Sequence, residues 1–70
     1  TELFVFIEGY LRANRLDQAW AVSQYLQERG GTKYDDAVCN LWRDIEADTA
    51  GGFDPSFNVE MVYATFCTSD

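Results

Sequence analysis

With 12 acidic side chains against five basic ones and a net charge of −7 over 70 residues, this chain is expected to be one domain of modest stability with little room for a deep pocket. Its 47% hydrophobic and 16% aromatic content excludes a charge-driven disordered segment, and it has no apolar run of roughly 18 residues of the kind that spans a bilayer. The net charge belongs to the second half alone: residues 1–34 set four acids against four bases, and residues 35–70 set eight acids against Arg43.

The first segment, Leu3 to Leu11, contains the β-prone run Phe4-Val5-Phe6-Ile7. Leu3, Phe6, Ile7, Tyr10 and Leu11 also form one wide helical face, and helix is the preferred reading. The same run is too short and too closely flanked by acids for a signal peptide, so the default address is cytoplasmic. Asn14-Arg15-Leu16-Asp17 has the pattern of an N-cap followed by an acid three residues on, and Leu16, Ala19, Trp20, Ser23 and Leu26 then recur at helical spacing up to Gly30-Gly31. Thr32-Lys33-Tyr34-Asp35 repeats the capping pattern ahead of the stripe Val38, Leu41, Trp42 and Ile45, which stops before Gly51-Gly52. Asp54-Pro55 reads as the cap and first turn of a fourth helix carrying Val59, Val62, Tyr63 and Phe66 on one face. The alternation Phe57, Val59, Met61, Tyr63 leaves a strand as its rival. The final Thr68-Ser69-Asp70 shows no targeting signal. The predicted fold class is all-α: a compact bundle of about four short helices, built on an αα-hairpin, in a single domain spanning 1–70.

Within this plan Phe4 to Gly30, 27 of the 70 residues, carries Gly9-Tyr10, Ala13, Arg15-Leu16, Ala19 and a closing Gly30. In these features it resembles one pentatricopeptide repeat. The resemblance implies a helical hairpin in which Gly9 and Ala19 let two helices approach closely while Leu16 and Leu26 fill the seam. The family binds single-stranded RNA, one base per repeat. Here the two base-reading places fall at Phe4 and near Tyr34, neither of which reads a base edge well. A lone repeat has no neighbours to stack on, and the acidic charge opposes phosphate binding.

Groups that carry chemistry are few. There is no histidine, which removes the commonest general base and zinc ligand. Cys39 and Cys67 are 28 residues apart and form no Cys-x-x-Cys pair. They are expected to be packing thiols rather than a disulfide, because a secreted domain of this size normally carries two to four bridges. Asp44 and Asp48 share a helix face close in sequence to Asp54, but their spacing does not follow an EF-hand loop, so no metal is assigned. Ala50-Gly51-Gly52 lacks the lysine of a phosphate loop. No cofactor is expected. Eleven aromatic residues exceed what so small a core encloses, and Tyr25, Tyr34 or Phe53 is expected at the surface as an interface anchor.

The function these features favour is a non-catalytic protein-binding domain. Its acidic second half would dock on a basic surface through Asp36, Asp44, Glu46, Asp48 and Asp54, with Phe53 as anchor. Carboxylates on short helices imitate nucleic-acid phosphates. In size, acidity and lack of catalytic groups the chain is similar to the small phage inhibitors of host nucleases, of the anti-restriction and anti-CRISPR kind. That likeness implies a partner within a nucleic-acid-binding complex, with no direct contact to nucleic acid or membrane. The alternative is a helical-repeat-like adaptor or homo-oligomerisation module using Phe4, Val5 and Tyr25 of the apolar first half.

Overall fold

The computed structural model describes residues 2–67, so Thr1 and the Thr68-Ser69-Asp70 end lie outside the described residues. The elements are α1 (Glu2–Arg12), α2 (Leu16–Gly30), a 3-10 turn (Gly31–Tyr34), α3 (Asp35–Asp48) and α4 (Val59–Phe66). Among the described residues there is no strand, and no helix is long and apolar enough to cross a membrane. The all-α expectation holds. The β-prone run of α1 is helical because a strand needs a partner to satisfy its backbone groups, and every other described element is helical or turn.

Each helix buries residues at helical spacing. These are Ile7 and Leu11 on α1; Leu16, Ala19, Ser23 and Leu26 on α2; Val38, Trp42 and Ile45 on α3; and Val62 and Phe66 on α4. α1 packs against both α2 and α3, and α4 packs against α3. Among the described residues, Ser23 is the one buried polar side chain. Its hydroxyl donates to the Ala19 carbonyl at 2.8 Å and accepts the Trp42 indole N–H at 3.1 Å, so a hydrogen bond ties α2 to α3 through the interior. Around Trp42, Phe57 stacks at 5.9 Å and Phe53 meets it edge-on at 5.8 Å, while Trp20 meets Phe66 edge-on at 6.0 Å.

Several local signals serve other ends than the sequence suggests. Asn14 closes α1 instead of capping α2. It sits at φ 60°, its N–H donates to the Leu11 carbonyl, and the next N–H, of Arg15, donates to the Tyr10 carbonyl. This is a left-handed helix-end motif that asparagine tolerates. Asp54 starts a turn rather than a helix: its Oδ1 accepts from the Ser56 N–H and hydroxyl, and its carbonyl accepts from the Phe57 N–H. α4 therefore begins only at Val59, and the connection from α3 is longer than expected. Gly9 is exposed with open space around the position a Cβ would take, so it is not the point of close approach that the hairpin resemblance implies. Ala19, the other small residue of that pair, is fully buried.

The largest correction concerns the cysteines. Cys39 and Cys67 are joined by a disulfide, with their Cα atoms 5.3 Å apart, inside the usual range for such a bond. Packing of α4 on α3 is what sets these two residues side by side, and a separation of 28 positions in sequence carries no sign of it.

Candidate functional site

The acidic positions arise from the polar side of α3 and from the loop that follows it. Because α3 buries Val38, Cys39, Trp42 and Ile45, the intervening residues Asp36, Asp44 and Asp48 are turned outward and exposed. Asp44 and Asp48, one helical turn apart, share a face. Asp36 lies in the first turn of α3, eight residues or about 12 Å along the axis from Asp44, so it does not belong to the same cluster.

The carboxylates differ in what they touch. Asp44 forms no ion pair among the described residues. Asp48 accepts from Arg12 Nη1 at 3.4 Å, and Arg12 Nε donates to Glu8 at 3.1 Å, which links the acidic half to α1. These groups are exposed, so the pairs add little to stability. Glu46 is half-buried and accepts a 2.5 Å hydrogen bond from the Tyr63 hydroxyl. Burial pushes the Tyr63 phenol well above its ordinary range, and the hydrogen bond and charge of Glu46 push it further against the opposing Arg43. Tyr63 therefore stays protonated and holds the Glu46 carboxylate in place. The backbone N–H and the hydroxyl of Ser56 hold the Asp54 carboxyl below its usual value, which keeps Asp54 ionised as a rigid part of its turn.

The loop from Phe53 to Val59 closes against the end of α3 and the start of α4 to form a recess of about 400 Å³. Its lining brings together Glu46, Asp54 and Glu60 with the apolar surfaces of Pro55, Phe57 and Val59, and it contains no basic residue. Glu60 was missed in the sequence because it lies outside the Asp36–Asp54 span. Its only signal was its share of the unbalanced charge. No group of three Asp, Glu or Cys side chains among the described residues is placed to hold a metal ion.

Phe53 does not act as an exposed anchor. It is 7% exposed and packs edge-on against Trp42, because the positive-φ pair Gly51-Gly52 turns the chain back toward the core. Of the other aromatic residues expected at the surface, Tyr25 is 46% exposed, whereas Tyr34 is half-buried against Phe4, with ring centroids 5.9 Å apart. The exposed aromatic that sequence reasoning missed is Phe6, at 56%, which the amphipathic pattern had placed on the buried face of α1. Compared with known proteins, the chain matches no family model, no curated protein and no solved structure.

Proposed function

We propose that the chain is a non-catalytic protein-binding domain whose acidic second half docks on a basic surface, acting as an inhibitor of a nucleic-acid-processing complex by imitating nucleic acid. The observation that carries this reading is the recess lined by Glu46, Asp54 and Glu60 with no basic residue in its own lining, beside the exposed Asp44, which forms no ion pair among the described residues. Two of the three carboxylates are held by hydrogen bonds before any partner arrives, which lowers the ordering penalty of binding. The apolar lining gives the stem of an arginine or lysine a surface to lie on. A field of this sign speeds encounter with a basic partner and weakens with salt. The pentatricopeptide-like hairpin contributes the scaffold in this reading, and RNA binding is not part of it. A cytoplasmic site of action belongs to the same proposal. Because reducing cytosol opposes the Cys39–Cys67 bond, binding is to be measured with and without reductant.

The test is affinity capture with the wild-type chain and with Asp44→Lys/Glu60→Lys, followed by competition with a DNA duplex. The expected result is a nucleic-acid-binding partner that elutes as salt rises, is lost with the double variant and is displaced by the duplex. A captured partner that survives charge reversal overturns the acidic docking face. One that is lost on reversal but indifferent to the duplex overturns the mimicry alone. The adaptor reading draws on Val5, 68% exposed, and Tyr25. Phe4, engaged with Tyr34, is not available to it.

A further inference from the structure

The second feature of the surface lies at the opposite extreme of charge. The C-terminal end of α2, the 3-10 turn and the start of α1 enclose a groove of about 710 Å³. Its apolar walls are Leu3 and Phe6 of α1, Leu26 of α2 and Tyr34, and its polar edge is made by Arg29 and Lys33. Among the described residues, no acidic side chain lines it. Gly30 shapes one side of it: a Cβ there would come within 2.7 Å of the Tyr34 ring, so a larger residue would push that ring off the helix end.

Among the described residues, Arg29 and Lys33 form no ion pair. Arg29 donates from Nε and Nη2 to the Tyr25 hydroxyl at 3.0 and 2.8 Å, and the Lys33 ammonium stands over the Tyr34 ring at 5.4 Å. Both are therefore oriented by tyrosines while keeping their charge for another group. In a chain of net charge −7, a groove whose described lining holds two cations and no carboxylate stands apart from the rest of the surface. Phe6, more than half exposed at its wall, supplies exposed apolar surface that a partner can cover.

We infer that this groove receives an acidic amphipathic segment of a partner protein, with an apolar side chain seated between Phe6, Leu26 and Tyr34 and carboxylates on Arg29 and Lys33. Charge complementarity selects this occupant. An isologous dimer across the groove would bring the Arg29 and Lys33 pairs face to face, a like-charge contact that opposes association. A basic segment, which suits the acidic recess, is repelled here. The inference stands apart from the acidic docking face, since it uses other residues and the opposite charge. Together the two sites would let one small domain hold a basic and an acidic surface at once.

The probe is a fluorescein-labelled synthetic amphipathic helix with leucine on one face and glutamate on its flanks, beside a twin in which lysine replaces each glutamate. Anisotropy measures affinity for the full chain, and amide chemical shifts locate the site. The expected result is binding of the glutamate peptide only, with shifts at Phe6, Leu26, Arg29 and Lys33. Arg29→Glu/Lys33→Glu should weaken it by roughly tenfold or more, as loss of close interfacial charge pairs does. Arg29→Gln/Lys33→Gln, which removes charge without reversing it, should fall between. Asp44→Lys/Glu60→Lys should bind the peptide as the wild type does, so this result is separable from the fate of the acidic face. Equal binding of the lysine peptide, an unchanged affinity in Arg29→Glu/Lys33→Glu, or shifts confined to other residues overturns the inference. So does sedimentation showing that the groove is covered by a second copy.

Discussion

The α1–α2 half and the α3–α4 half bury similar stripes of apolar residues, but they are held by different means. In the first half the contacts are largely aliphatic and the charges balance, and a short turn through the left-handed Asn14 joins two helices whose buried residues follow from local spacing. The second half carries eight acids against one arginine. There the chain relies on an aromatic cluster around Trp42, the Tyr63–Glu46 hydrogen bond and the Cys39–Cys67 bond. Acids exposed at this density repel one another in the compact state, and α4 is only eight residues long, too short to be stable by itself in water. Ties that do not depend on helix propensity compensate for both. The two halves also present different surfaces: the second carries the acidic recess, and the first, with the 3-10 turn, carries the apolar groove edged by Arg29 and Lys33.

The comparison breaks first at Trp42, which is fully buried and joins both halves through Ser23. Trp42→Ala is expected to cost about 3–5 kcal/mol, as large aromatic truncations do. That is a large fraction of the roughly 4–10 kcal/mol total stability of a domain this size, so circular dichroism should show a melting temperature far below that of the wild type. Leu11→Ala, at about 2–4 kcal/mol, is the control in the first half. A larger loss there than at Trp42 would reverse the ranking of the two halves.

Reduction of the disulfide, which closes a loop of 28 positions, comes next, at about 3.5 kcal/mol. Hydrogen exchange should rise across Val59–Phe66 well before it rises across Leu16–Gly30. A uniform rise would mean that the bond stabilises the whole domain and not α4 in particular. Ser23→Ala should cost about 1–3 kcal/mol, because it leaves the buried Trp42 N–H without an acceptor. A thermal melt unchanged from the wild type would show that another acceptor replaces the hydroxyl.

The smallest effect belongs to Tyr63→Phe, about 0.5–1 kcal/mol at neutral pH for a half-buried hydrogen bond. Its sharper signature is in pH. The folded-state pKa of Tyr63 lies above its unfolded value near 10, so the stability it contributes is complete below about pH 10 and is lost as pH climbs toward the folded value. Chemical denaturation from pH 9 upward should show a flatter decline in Tyr63→Phe than in the wild type. Parallel declines would mean that Glu46 does not hold the phenol in solution.

What the residues alone determined is the helical class, the two central helices and the position of the net charge. The stripes of α2 and α3 and the count of acids are local or additive properties, readable without knowing what packs where. The cap assignments at Asn14 and Asp54 fared differently: both residues do end or start local structure, Asn14 by its left-handed backbone and Asp54 by its side-chain hydrogen bonds, but such residues serve helix ends and turns alike, and only the surrounding backbone selects between them. The structure alone decided the disulfide, the burial of Phe53, the exposure of Phe6, the recruitment of Glu60 and the groove beneath Arg29 and Lys33. Each depends on which distant segments meet. A sequence records neighbours along the chain, whereas a recess, a bridge or an unpaired cation is a relation across space that exists only once the helices have packed.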